Sequence, residues 1–187
     1  PGDELILTKG LAIEATAIIA RERGIDLADR GFDRVFLERC ADFLTTPGIS
    51  VVRDAAIATA TGGVRAMHDP TEGGLATALY ELAEAADVGI WIDAQTLHLA
   101  PESAQLCTAF ALDPLGVISS GALLIGCDRT FSGDIIDALE EAGIRAARIG
   151  SARPAMDGLK IIDEGDERVL PTFPVDEITR IFEQEDD

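Results

Sequence analysis

Apolar positions along the chain fall into two recurring patterns, and each pattern predicts one type of secondary structure. Short apolar runs bounded by glycine or polar residues predict strands, which lie at residues 5–8, 64–67, 88–92, 117–126 and 145–149. Apolar residues at three- and four-residue spacing predict helices, which lie at residues 13–23, 32–44, 50–59, 75–86, 101–109, 135–142 and 176–182. Because strands and helices alternate, the pattern predicts a layered α/β fold.

Glycines and charged residues mark where several of these elements end. Gly24 is expected to close the first helix, and Gly62-Gly63 to end the third. Residues 158–162 and 168–170 flank a charged segment and predict a β-hairpin. The acidic residues 183–187 predict a frayed tail.

One loop carries an arrangement of residue types that bulk composition does not explain. The sequence His68-Asp69-Pro70-Thr71-Glu72-Gly73-Gly74 follows a predicted strand and opens onto a predicted helix. A helix N-terminus has free backbone N–H groups and a partial positive charge, and paired glycines let an anion approach the main chain. The loop therefore predicts phosphate or carboxylate binding. The alternative is that Asp69 or Thr71 only caps the helix and that His68 only ends the strand.

The charge of the chain limits the partners that it can have. The 187 residues carry a net charge of −19 at pH 7, so long-range repulsion disfavours sequence-independent binding to nucleic acid or to anionic membranes. Only Lys9 and Lys160 are lysine, and a surface rich in aspartate and poor in lysine is typical of a salt-adapted, archaeal or halophilic source. An ordinary acidic cytoplasmic protein is the alternative.

The cysteines and histidines predict no metal or redox site. Cys40, Cys107 and Cys127 are far apart, and neither His68 nor His98 belongs to a ligand cluster. Each cysteine is expected to be a small core residue in a reducing compartment. No apolar run reaches about eighteen residues and no secretory leader is recognised, which predicts a cytoplasmic protein without membrane spans.

Three blocks of the sequence resemble a known family. HDPTEGGLATAL at residues 68–79, continued by the run from Glu81 to Asp93, resembles the C-terminal domain of the aminoimidazole ribonucleotide (AIR) synthase superfamily. The segments PGDELILTKGLAIEATAIIA at 1–20 and DPLGVISSGALLIGC at 113–127 are similar to two further family blocks. Within the superfamily, the match is nearest to the hydrogenase-maturation carbamoyl dehydratases and the archaeal AIR synthase-related proteins.

This resemblance implies a fold, a domain organisation and a ligand site. It implies a mixed β-sheet with packed helices, residues 1–187 being a single C-terminal domain without the N-terminal ATP-binding domain. It implies ATP and Mg²⁺ as cofactors, held mainly by that absent domain, a homodimer, and a small anionic substrate bound between the domains. The residues that it implies for phosphate or substrate binding are Lys9, His68, Asp69, Thr71, Gly73, Gly74, Ser120 and Gly121. No catalytic residue and no metal ligand is assigned.

The sequence departs from the family pattern at two points. Ser119 and Ser120 stand where relatives usually have asparagine or glutamate, which weakens the transfer of a polar contact to that turn. The chain ends Phe182-Glu183-Gln184-Glu185-Asp186-Asp187, without the terminal cysteine of the dehydratases. The AIR synthase-related class is therefore predicted, either as half of an ATP-dependent synthase or dehydratase that is inactive alone, or as a non-catalytic module that binds a nucleotide or metabolite.

Overall fold

A computed structural model describes residues 1–183, which fold around a seven-stranded sheet. The strands are β1 (Glu4–Thr8), β2 (Val64–His68), β3 (Val88–Asp93), β4 (Leu124–Cys127), β5 (Ala146–Pro154), β6 (Leu159–Asp163) and β7 (Asp166–Val169). Their order across the sheet is β2-β4-β1-β5-β3-β6-β7. The β3–β6 pair is parallel and the other pairs are antiparallel, so the predicted mixed sheet is confirmed.

The described residues form seven α-helices. They are α1 (Ile13–Glu22), α2 (Gly24–Asp29), α3 (Arg34–Ala41), α4 (Val52–Thr61), α5 (Gly74–Ala86), α6 (Pro101–Ala109) and α7 (Ser132–Glu141), all within the described residues. Short 3₁₀ turns lie at Asp42–Leu44, Ala94–Thr96, Ala155–Asp157 and Glu177–Ile181. No helix among residues 1–183 is long and apolar enough to cross a membrane.

Strand β1 shows why the molecule has three layers. Successive side chains of a strand point to opposite faces, and Leu5 and Leu7 pack into one core while Ile6 packs into the other. The larger core includes residues of α1, α3, α5 and α6, and the smaller core includes residues of α4 and α7. Helices therefore cover both faces of the sheet, and the predicted layered α/β class is confirmed.

Most predicted elements are present, with shifts at their ends. Gly24 does not end the helical region, because it is the first residue of α2 and the chain continues helically to Asp29. The predicted helix at 32–44 is α3 plus a 3₁₀ turn, and α3 begins only after the Asp33 carboxylate, which accepts a hydrogen bond from the Phe36 N–H. The predicted hairpin is formed by β6 and β7. Of the predicted acidic tail, residues 184–187 lie outside the described residues.

Candidate functional site

One end of the sheet collects several residues that the sequence singles out. Lys9 directly follows β1, and its backbone N–H donates to the carbonyl oxygen of Arg145, just before β5, at 2.7 Å. His68 is the last residue of β2 and lies opposite Leu124, the first residue of β4. Gly121 precedes β4 on the same side. The antiparallel pairing of these strands therefore brings Lys9, His68 and Gly121 to the same end of the sheet.

The Lys9 ammonium is turned into the protein, and only 7% of its side chain is exposed. It donates to the carbonyl oxygens of Ser50 at 2.8 Å and Gly121 at 2.9 Å, and it lies 3.2 Å from the Asp54 carboxylate. Asp54, whose side chain is 1% exposed, also accepts a hydrogen bond from the Thr8 hydroxyl at 2.7 Å. Two of the three ammonium donors therefore have carbonyl acceptors, and the charge is balanced by the Asp54 carboxylate. Phosphate binding by Lys9 stays a prediction.

His68 lies at the surface between two carboxylates. Its Nε2 is 2.6 Å from Glu81 Oε2, and its Nδ1 is 3.9 Å from Asp69 Oδ1. Nε2 faces a carboxylate oxygen, so the ring carries a proton there and donates to Glu81. The side chain is 27% exposed, so the imidazole is oriented by Glu81 while part of the ring remains open to solvent. The structure thus brings His68 and Asp69 together and adds Glu81.

The start of α5 is closed by the chain itself. The Gly73 N–H donates to the Asp176 carboxylate at 2.7 Å, and both Gly73 and Gly74 are buried. A Cβ on Gly74 would lie 2.5 Å from the carbonyl oxygens of Leu115 and Val117, and the Gly74 φ of +62° is itself unfavourable for other residues. The glycines therefore permit close packing of the 115–117 segment. An anion at this helix start would require Asp176 to move away, and binding there stays a prediction.

Helix α5 is not capped by Asp69 or Thr71, and a distant carboxylate binds at its start instead. Among residues 1–183, no side chain of the preceding loop caps the helix, and this corrects the expectation for Asp69 and Thr71. The Asp69 side chain is 61% exposed and Thr71 is half-buried. The Gly73 N–H instead meets Asp176, which the 3₁₀ turn near the end of the described chain brings to this position.

Ser119, which is not among the predicted site residues, stabilises the turn before β4. The buried Ser119 hydroxyl accepts from the Ala12 N–H at 2.9 Å and donates to the Val117 carbonyl oxygen at 3.0 Å, so it fixes this turn to the start of α1. Ser120, the predicted ligand, is half-buried and forms an isolated bridge with Ala122. A ligand contact by Ser120 or Gly121 stays a prediction.

A cavity of about 420 Å³ adjoins Lys9 at this end of the sheet. Its lining includes Lys9, Arg53, His98 and Arg145, together with apolar side chains such as Phe43. Burial, with a smaller contribution from the Arg145 guanidinium, lowers the pKa of His98 below its ordinary value. The cavity is therefore surrounded by cationic and donor groups, although the chain as a whole is strongly acidic.

The partners of Lys9, His68 and Gly73 were not predicted from the sequence. Asp54 could have been recognised from the sequence, because it is a carboxylate within a mostly apolar segment from Val51 to Ile57. Glu81 and Asp176 could not, because they lie 13 and 103 residues from their partners and resemble other acidic residues in the sequence. Only the packed structure shows which carboxylates are used.

The three cysteines occupy the core as predicted. Cys40, Cys107 and Cys127 are 0%, 3% and 0% exposed. Burial raises the pKa of Cys40 and Cys107 to about 12 and that of Cys127 to about 11, and nearby carboxylates add to the effect. Each thiol is thus protonated at neutral pH and is a weak nucleophile.

Known proteins resemble this chain in sequence and in structure. The chain is 27% identical over 177 residues to the carbamoyl dehydratase HypE of Cupriavidus necator, covering 87% of this chain and 46% of that protein. The crystal structure of E. coli HypE superposes with a TM-score of 0.75 at 23% identity, covering 96% of this chain and 52% of that one. A HypE structure in complex with ATP gives 0.70 at 19% identity, covering 95% and 53%. The chain spans about half the length of these relatives.

The family model described as "AIR synthase related protein, C-terminal domain" matches residues 1–158. The matched range includes the loop from His68 to Gly74, the Lys9 turn and all strands up to β5, and the predicted resemblance is confirmed. The chain therefore belongs to the AIR synthase-related family, whose C-terminal domain it carries.

Proposed function

We propose that this chain is the C-terminal half of an ATP-dependent AIR synthase-related enzyme. In this proposal it forms one wall of an inter-domain cleft that holds a small anionic substrate, and ATP activates an amide-like oxygen of that substrate by phosphorylation. The observation that carries the proposal is a cavity lined by Lys9, Arg53 and Arg145, at the same end of the sheet as His68, in a protein of net charge −19. Such a local reversal of charge favours an anionic ligand.

His68 is the residue of the loop best placed to meet a substrate. Its hydrogen bond to Glu81 fixes the ring, and its 27% exposure leaves it accessible. An imidazole held by a carboxylate can hydrogen-bond and orient a substrate without a large loss of side-chain entropy. Asp69, which is more exposed and lies 3.9 Å from the other ring nitrogen, would accept a hydrogen bond from an N–H group of the substrate.

ATP and Mg²⁺ enter the proposal through the family and not through a site in this chain. Carboxylate clusters are the usual protein ligands of Mg²⁺, and residues 1–183 contain no group of three histidine, cysteine, aspartate or glutamate side chains that could hold a metal ion. We place ATP and Mg²⁺ with the N-terminal half, which would close the cleft, and we propose a homodimer in the cytoplasm.

The test is an activity assay on the protein that joins this chain to its N-terminal half. Release of ADP and phosphate from Mg–ATP is measured with candidate amide substrates. Substrate-dependent turnover is expected, with a decrease of about tenfold or more in His68→Ala. The matched control is Arg65→Ala, an exposed residue near the other end of β2, which is expected to leave turnover unchanged. The 187-residue chain alone is expected to hydrolyse no ATP, and robust hydrolysis by it would contradict the proposed division of labour.

A non-catalytic binding module is the second candidate. One observation favours it, since the Lys9 ammonium and the Gly73 N–H already have carboxylate partners within the chain and so are not free to stabilise a phosphoryl group in transfer, which a binding module does not need to do. The same assay distinguishes the two functions, because nucleotide binding without turnover for every amide substrate would support the module.

A further inference from the structure

The cavity beside Lys9 is lined by arginines that lack, in the described part of the chain, the carboxylate partners typical of this acidic protein. Arg53 and Arg145 line it, and within residues 1–183 neither of them forms a salt bridge. Most other arginines are paired with carboxylates, as is expected where acidic residues are more than twice as numerous as basic ones. No described residue that lines the cavity carries a carboxylate. Two arginines without a salt bridge among the described residues therefore line a common cavity.

Two separate parts of the fold hold Arg53 and Arg145 in place. Arg53 is in the first turn of α4, which the Asp54 carboxylate ties to Thr8 and Lys9. Arg145 is fixed by its carbonyl oxygen, which accepts the Lys9 N–H. The site is thus built on the packed end of the sheet, and its backbone does not depend on a bound ligand.

His98 is placed at the cavity by a close backbone contact. Its carbonyl oxygen accepts the Leu11 N–H at 2.9 Å. A Cβ on Gly10 would lie 2.6 Å from this oxygen and 2.9 Å from the imidazole Cδ2, so only glycine permits the approach. The segment that carries His98 therefore packs directly on the turn between β1 and α1. Its imidazole lines the same cavity as the two guanidinium groups.

We propose that this cavity binds the phosphate group of a small phosphorylated metabolite, with Arg53, Arg145 and His98 as the ligand-contacting residues. Guanidinium groups donate paired hydrogen bonds to phosphate oxygens, and two of them match the charge of a phosphate dianion. The Lys9 ammonium adjoins the site, but Asp54 neutralises it. The proposal does not depend on ATP-driven turnover.

The remaining walls indicate an organic phosphate ester. Leu11, Ile13, Phe43 and Ile144 supply an apolar lining, which inorganic phosphate alone would not use. A volume of about 420 Å³ is within the usual range for small-molecule sites and exceeds the volume of one phosphate group. An ester with a small apolar or sugar-sized body fits both the charged and the apolar parts of the lining.

The two histidines of the chain allow a direct test. The imidazole signals of His68 and His98 are followed by NMR during pH titration of the 187-residue chain, with sodium chloride or sodium phosphate at equal ionic strength. A bound anion stabilises the imidazolium, so phosphate is expected to raise the pKa of His98 by about 0.5 or more and to leave His68 unchanged. A response of His68 alone would overturn the cavity proposal and would support ligand binding at the loop.

Variants and a second anion complete the test. Arg53→Gln and Arg145→Gln remove exposed charges and are expected to fold, and each is expected to weaken phosphate binding about tenfold or more. Arg65→Gln makes the same charge change near the opposite end of the sheet and is the matched control, with unchanged binding expected. Equal weakening by all three variants would refute a local site. An equal response of His98 to sodium acetate would refute the assignment of a phosphate group.

Discussion

Removal of the Asp54 carboxylate should destabilise the fold more than any surface carboxylate would. Asp54→Ala leaves the buried Lys9 ammonium without its counterion and the buried Thr8 hydroxyl without its acceptor. At 3.2 Å and an effective dielectric constant of about 20, the Coulomb attraction between the two charges is about 5 kcal/mol, and the desolvation of both groups offsets much of it.

The net loss is smaller than the Coulomb attraction alone. Breaking a buried ion pair from one side usually costs about 3–5 kcal/mol. Lys9 keeps the carbonyl oxygens of Ser50 and Gly121, so we expect a decrease in the free energy of unfolding near the lower limit, about 3 kcal/mol. For a chain of this length, that corresponds to a decrease in the melting temperature of about 6–12 °C.

Urea unfolding measured by circular dichroism and by the fluorescence of Trp91, the single tryptophan, gives the free energy directly. The control is Glu38→Ala, which removes an exposed helical partner of Arg34 and should change stability by less than about 0.5 kcal/mol. Lys9→Met combined with Asp54→Leu removes both charges and should recover much of the loss. A loss below about 1 kcal/mol for Asp54→Ala would refute the view that this pair joins α4 to the sheet.

Three further outcomes follow from buried groups. Gly74→Ala places a Cβ against two carbonyl oxygens at a positive φ and should reduce the free energy of unfolding by about 3 kcal/mol. The control is Gly133→Ala in α7, where a Cβ meets nothing within 4 Å; it should be neutral or slightly stabilising in the same urea assay. A thiol-reactive chromophore should label none of Cys40, Cys107 and Cys127 in the folded protein at pH 8 and all three in urea, and rapid labelling of the folded protein would contradict their burial. Burial favours the protonated form of each thiol and so raises its pKa. The resulting contribution to the free energy of unfolding is complete below the unfolded-state pKa of about 8.5 and decreases as the pH rises toward 11–12. Cysteine-to-serine variants should therefore lose less stability between about pH 8.5 and pH 11 than the unchanged protein.

The sequence by itself determined the element types, the layered fold and the family. Hydrophobic periodicity is a local property of the chain, so strands such as β1 and helices such as α5 could be predicted from residues a few positions apart. The boundary at Gly24 could not, because a glycine can end a helix or begin one, and the packing of Leu27 into the core favoured the second outcome. The histidine–aspartate–glycine loop was likewise recognisable as a short motif.

Only the tertiary structure decided how the charged groups are paired. Lys9, which the family resemblance implies for phosphate binding, lies against Asp54, and the Gly73 N–H donates to Asp176, far along the chain. The cationic cavity likewise depends on Arg53 and Arg145, which no local pattern connects. The physical reason is that a charged side chain can be satisfied by any opposite charge or dipole within a few ångströms, and sequence separation does not set which one is near.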